Sequence, residues 1–231
     1  MKQNAVYIIP PYSLFNRLND NNFGQLTDED YIFLKSTLYL NLLENVNLKQ
    51  DKVDIYKIFD FSDKDLLPAE FVNETQKIIF GNFNNLKLLF KELSGKEFFS
   101  HKNNLIVFSD VINIRSSDIE LYFNLLGIDE NSLVLAKSCN GEIKVFGFNN
   151  YSDDLFKHLT DSSFIMENFL SYNNSCAYFI NTLSDLITLA NTNDFKKLYS
   201  ELSQKKSNEY CSQQMHERFT HLFIEYKDLL K

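Results

Sequence analysis

The sequence predicts an α/β protein. It has one mixed, mostly parallel sheet covered by helices on both faces, and a helical extension at the C-terminus. Three observations predict this. Short apolar or β-branched runs alternate with segments of helical periodicity from residue 6 onward, and strands separated by helices pair in parallel through crossover connections. The run at 105–108 is apolar without interruption, as in a strand buried on both faces. One Asn140-Gly141 pair stands between two apolar runs, a strong hairpin signal, so one antiparallel pairing joins the parallel set. Hydrophobic residues make up 44% of 231, enough to bury the core of one domain.

The elements follow in order. Residues 6–9 are apolar and end at Pro10-Pro11, a first strand and its loop. Thr27 precedes Asp30 by three residues, close to a capping box, and Asp28, Glu29 and Asp30 suit the positive end of a helix dipole. Ile32, Phe33, Leu38, Leu42 and Val46 continue that helix at its own spacing. Residues 52–61 alternate around Val53 and Ile55 as a second strand, and 77–81 is a brief third. Leu86, Leu89, Phe90 and Leu93 share one face of a helix at 85–94. A fourth strand at 105–110 ends in Ser109-Asp110. A helix at 116–126 follows, with a serine N-cap and Gly127 as its stop. Strands flank the turn 139–142. Helical patterns at 153–159 and 163–170, a strand at 176–181 and a helix at 194–202 follow. Residues 207–231 form a long amphipathic helix through Tyr210, Met215, Phe219, Leu222, Phe223 and Tyr226. The expected division is a domain at 1–204 and a C-terminal amphipathic helix at 205–231. That helix either packs back on the domain or joins a second copy in a homodimer.

Composition narrows the function classes. With 31 acidic against 23 basic residues the formal charge is −8, which argues against a nonspecific grip on nucleic acid. Phe (22) and Tyr (12) are many, while Gly (6) and Pro (3) are few, so Asn, Asp and Ser must carry the turns. Cys139, Cys176 and Cys211 have no C-x-x-C spacing and read as reduced thiols. No apolar window approaches ~18 residues, so no membrane span is expected and a cytoplasmic protein is. His101, His158, His216 and His221 show no partner at ligand or triad spacing, and there is no P-loop, G-x-G-x-x-G or nucleophile elbow.

Asp110 follows a buried strand at its carboxyl end, where open α/β sheets place ligands. The alternative is a strand-end cap on the N–H of Val111 or Ile112. A residue-110 side chain turned inward, or a crevice filled by Phe and Tyr, would overturn the functional reading built on Asp110 and leave only the scaffold. Arg17, in the loop after the first strand, could pair with a phosphate or with a nearby acid. Glu142 is either a general base or an exposed turn residue. Lys35 is assigned to a solvated helix face, and Asp185 has the same standing as Glu142.

Four segments carry a family resemblance: "NRLNDNNFGQLTDEDYIFLKSTLYLNLL", "NNLKLLFKEL", "LIVFSDVIN" and "SLVLAKSCNGEIKVFGF". In order and spacing, over about residues 5–200, they resemble the bacterial family of GT-A-like nucleotide-diphospho-sugar transferases. Asn16-Arg17-Leu18 stands where the family has Thr-Arg-Leu, and Ser109-Asp110 matches its Gly-Ser-Asp. Asn140-Gly141-Glu142 replaces Asp-Gly-Gly. The resemblance implies a Rossmann-like, GT-A-type fold and glycosyl or nucleotidyl transfer from a nucleotide or nucleotide sugar. It implies Mg²⁺ or Mn²⁺ on Asp110, Asp110 and Glu142 as catalytic residues, and Arg17 and Ser109 as cofactor-binding residues. The departures are acids replaced by neutral residues. Val111, Ile112 and Asn113 stand in place of Ser-Pro-Asp, and Ile187 or Asn191 falls where Asp is expected. They leave a second expectation open, a scaffold of the same ancestry that binds a partner without catalysis.

Overall fold

The computed structural model describes residues 2–15, 26–47, 49, 51–72, 76–83, 89, 92–93, 98–138, 142–149, 179–186, 192–204 and 212–228. Its strands are β1 (Asn4–Ile9), β2 (Val53–Asp60), β3 (Lys77–Gly81), β4 (Asn103–Phe108), β5 (Ser132–Ser138), β6 (Ile143–Asn149) and β7 (Phe179–Leu186). They form one sheet in the order β3-β2-β1-β4-β6-β5-β7. Among these strands β6 alone runs against the rest, pairing antiparallel with both β5 and β4. β1 lies between β2 and β4 in parallel register, with Val6 opposite Ile55 and Leu105. Its five residues after Asn4 are all buried, as a central parallel strand requires.

The helices are α1 (Asp28–Asn47), α2 (Ser116–Leu126), α3 (Thr192–Gln204) and α4 (Gln213–Glu225). All four place side chains in one core cluster on one face of the sheet. There Leu34, Leu38, Leu42 and Val46 meet Ile119 and Leu126, and Phe195 and Leu198 join Met215, Phe219 and Leu222. Described residues of the connection from β3 to β4 pack on the other face. Leu89 and Leu93, in helical backbone, and Phe99 pack there on Tyr7, Tyr56 and Ile106. Gly147 permits close contact on the helix side, since a Cβ there would meet Leu105 Cδ1 at 3.0 Å and Leu126 Cδ1 at 3.1 Å.

α1 starts as its sequence predicts. Thr27 Oγ1 accepts from Asp30 N at 3.2 Å, and the two side chains bond at 2.6 Å. α4 folds back along α1, and Tyr226 ties the two together by donating to Asp30 and accepting from Thr27 N.

Several boundaries differ from the sequence expectation. Arg115, not a serine, is the N-cap of α2, and its N–H is held by the Asp118 carboxylate at 2.7 Å. The late strand begins at Phe179 and runs to Leu186, so only its first part was anticipated. The terminal helix is shorter than 207–231 and starts at the Ser212 cap, which accepts from Met215 N at 3.2 Å. The helical patterns at 153–159 and 163–170, the turn residues 139–141, Arg17 and the three cysteines lie outside the described residues. So do the side chains of 179–186, Asp185 included.

Asn113 (φ 50°) carries one turn in the left-handed region, as the shortage of glycine predicts. Lys57 was not anticipated. It is 0% exposed on β2 and donates to the Phe71 carbonyl at 2.5 Å, and burial pulls its pKa down to about 8.

Candidate functional site

The carboxyl ends of β1, β2 and β4 lie side by side, and the start of the antiparallel β6 joins them next to β4. The loop after β1 is held there from two sides. Asp63, 0% exposed just beyond β2, accepts from Leu14 N at 2.9 Å, Phe15 N at 2.8 Å and Ser13 Oγ at 2.5 Å. Lys35 of α1 donates to the Ser13 carbonyl at 2.7 Å, with its ammonium over the rings of Tyr31 (4.7 Å) and Tyr12 (5.2 Å). Lys35 is therefore buried, not on a solvated face. The carbonyl and the two ring faces replace the water that an ammonium otherwise demands.

Asp110 and Glu142 come together through a residue that neither reading of Asp110 named. Lys144 Nζ lies 2.5 Å from Asp110 Oδ2 and 2.8 Å from Glu142 Oε2. Asp110 is 5% exposed and Lys144 7%, whereas the Glu142 side chain is 55% exposed. Burial pulls the Lys144 pKa down, but the charges and hydrogen bonds of Asp110 and Glu142 outweigh it and leave the pKa above the ordinary lysine value. The ammonium thus stays charged throughout the neutral range. Tyr12 approaches from the β1 loop. Burial first, then the Asp110 carboxylate and Tyr31, push its hydroxyl well up, so it stays a neutral donor. Ser109 is buried beside Asp110, with its N–H on the Ile9 carbonyl at 3.0 Å, which fixes it to the end of β1.

As arranged, these residues offer a divalent metal no open carboxylate pair. Asp110 is turned inward onto Lys144, which corrects the expectation of Asp110 as an open ligand carboxylate and removes the functional reading built on it, and no group of three or more His, Cys, Asp or Glu side chains among the described residues could hold a metal. The arrangement can do something else. It places a cation, positioned by two carboxylates, at the carboxyl ends of the strands, where open α/β folds bind ligands. Sequence reasoning missed Lys144 and Asp63. The signal for Lys144 was its place at the start of the strand that the Asn-Gly turn brings back beside residue 110. Nothing in the sequence marks Asp63.

A cleft of about 500 Å³ lies at the opposite end of the sheet, lined by Lys102, Gly127, Ile128, Asp129 and Asn149 among others. Its Asn149 amide is used internally, donating to the Leu126 and Asp129 carbonyls and accepting from Ser132 N. The charged convergence is at the carboxyl edge.

No family model matches the sequence, and no curated protein matches it. Solved structures do match the fold. A "putative nucleotide-diphospho-sugar transferase" from Desulfovibrio desulfuricans G20 superposes with a TM-score of 0.74 at 14% identity, over 100% of this chain and 97% of that one. The 4-diphosphocytidyl-2C-methyl-D-erythritol synthase of Anaerococcus prevotii DSM 20548 gives 0.54 at 12% identity, over 88% and 99%. A CMP:2-keto-3-deoxy-manno-octonic acid synthetase complexed with CTP gives 0.51 at 9% identity, over 88% and 99%. This chain has the α/β, Rossmann-like fold shared by nucleotide-diphospho-sugar transferase-like proteins and cytidylyltransferases.

Proposed function

We propose that the chain binds a nucleotide at the carboxyl edge of β1 and β4 and transfers a nucleotidyl or glycosyl group from it. One observation carries this reading: on a fold shared over the whole chain with a transferase-like protein, a buried ammonium held by two carboxylates stands at that edge. The CTP in one structural neighbour supports a cytidine nucleotide as the first candidate. GT-A-type transfer from a nucleotide sugar is the narrower form.

Both forms share one electrostatic problem. An acceptor oxygen bonds to the transferred phosphorus or sugar carbon, and the bond to a pyrophosphate or nucleoside diphosphate breaks. Negative charge then grows on the departing phosphate oxygens. Lys144 offsets that charge in this proposal. Asp110 positions the ammonium, and Tyr12 adds a neutral donor. Glu142, the exposed member, takes the acceptor's proton. Arg17 and Ser109 complete the phosphate contacts. The neighbours' chemistry supports transfer over a scaffold that only binds. A cytoplasmic setting, where nucleotides are made, suits the proposal. No helix among the described residues is long and apolar enough to cross a membrane. A homodimer through α4 would use its outer face, where Ile224 is exposed, since Phe219 and Leu222 are already buried inside.

The test is a melting-temperature panel of CTP, CDP, UDP-sugars and GDP-sugars, each with and without Mn²⁺. At ~100-fold excess over Kd a bound nucleotide stabilises by about 2.7 kcal/mol, an upward shift of a few degrees. At least one nucleotide is expected to produce it. A flat response across the panel would reject nucleotide transfer.

A further inference from the structure

The family resemblance implies a metal on Asp110 and catalytic roles for Asp110 and Glu142, and the two carboxylates already have a cation between them. Lys144 Nζ is within hydrogen-bond distance of each, at 2.5 and 2.8 Å. Mg²⁺ takes carboxylate oxygens at about 2.0–2.1 Å in a strict octahedron. A metal placed on these two oxygens would meet the ammonium itself, so the two cations exclude each other. The lysine cannot withdraw easily, because it is 7% exposed and would leave the buried Asp110 beside Glu142 without the charge that compensates both. An ammonium has three N–H donors. Two of the Lys144 donors serve the carboxylates, and the third has no acceptor among the described residues.

We propose that Lys144 is the resident cation of the nucleotide site: it takes the place between Asp110 and Glu142 that a divalent metal would take, its third N–H meets a phosphate oxygen, and nucleotide binding needs no metal. The phosphate contact rests on the nucleotide reading above; the exclusion of metal does not. The three charges sum to −1, so the phosphates call for a second cation besides Lys144. Asn113 stands where the resembling pattern has its one acid in this stretch, and that loss fits the same account. A site with a built-in monovalent cation needs fewer carboxylates than one that must hold a divalent ion.

Two measurements on the whole chain test this. The first is nucleotide affinity by calorimetry in EDTA and in millimolar Mn²⁺, with CTP and the nucleotide sugars as probes. Affinities equal within about twofold are expected, and binding that tightens by about tenfold or more with Mn²⁺ overturns the proposal. The second is Mn²⁺ uptake by electron paramagnetic resonance, for the native chain, Lys144→Met and Glu142→Gln. Removing the amine leaves two like charges that call for a cation, so Lys144→Met should bind Mn²⁺ about tenfold or more tightly than the native chain. Equal uptake by the two overturns the proposal. If Lys144→Met does not fold, Glu142→Gln decides, because its carboxylate is half exposed and its loss is mild. Native Mn²⁺ uptake that disappears in Glu142→Gln overturns the proposal, and unchanged weak uptake supports it. If no nucleotide binds in either buffer, the nucleotide reading falls and takes the phosphate contact with it, while the Mn²⁺ arm still decides what Lys144 does.

Discussion

The amino end of the sheet and its carboxyl end both bury polar groups, but they use them differently. Towards the amino end, the Tyr7 hydroxyl accepts from Phe99 N at 2.9 Å and donates to Asn104 Oδ1 at 3.3 Å. The Asn104 amide returns to the Phe99 and His101 carbonyls. Tyr7 stacks on Tyr56 at 4.8 Å, and His101 Nε2 meets Asp54 at 2.9 Å. The network holds Phe99 at φ 65°, a conformation a bulky residue adopts only when its surroundings impose it. Most donors and acceptors there answer one another among β1, β2 and the start of β4, although His101 Nδ1 and Asn103 Oδ1 are buried without a hydrogen-bond partner among the described residues. At the carboxyl end the bonds reach from Asp63 to the β1 loop and from Lys144 to Asp110, and they leave a charged donor over. The first network bonds mainly within itself, whereas the second positions a charged ammonium between two carboxylates.

The largest expected effect falls on the clamp beneath that site. Asp63→Ala removes the acceptor of two backbone N–H groups and a hydroxyl, all near or in the core, and should cost about 3 kcal/mol in urea unfolding. It should also weaken any nucleotide contact made by the β1 loop. Loss of stability without loss of nucleotide binding would mean that the loop and the cation act independently. A smaller effect is expected at the other end. Tyr7→Phe should cost about 1 kcal/mol and leave nucleotide affinity unchanged. A fall in affinity would break the distinction between the two ends.

The pH dependence sharpens it further. Burial raises the Asp54 pKa, but the hydrogen bond and charge of His101, with Lys2, outweigh this and hold it below the ordinary carboxylate range. Its folded pKa is depressed, so its contribution is present above that range and lost as pH falls through the folded value. Lys144 behaves in the opposite sense. Its raised pKa gives stability that is complete below about pH 10.4, the ordinary lysine value, and lost only as pH climbs through the folded value. Unfolding curves of Asp54→Asn against pH should be flatter than native on the acid side and unchanged on the alkaline side. An altered alkaline side would mean that the two clusters are coupled through the sheet.

Much of the fold was legible from local chemistry. The Thr27 cap, the helix ending at Gly127, the uninterrupted strand before Ser109 and the hairpin around Asn140-Gly141 each follow from residues within one or two turns of the feature. The cap of α2 was misassigned because the serines at 116 and 117 suit a cap as well as Arg115 does, and the decisive bond comes from Asp118 to backbone. Lys35 was misplaced for a related reason. Its spacing on α1 gives a polar face, and only α1's burial against the β1 loop and α4 turns that face inward.

The sequence by itself determined which segments become strands and helices and that one strand must run backwards, because periodicity, caps and turn residues act over a few positions. It also determined that Asp110 would stand at the end of a buried strand. Only the tertiary structure decided what Asp110 faces. Lys144 is 34 residues away and meets it because β6 pairs antiparallel to β4, and Asp63 reaches the β1 loop across about 50 residues of chain. Charge compensation depends on distance in space and on exclusion of water. Neither is a property of a short stretch of sequence.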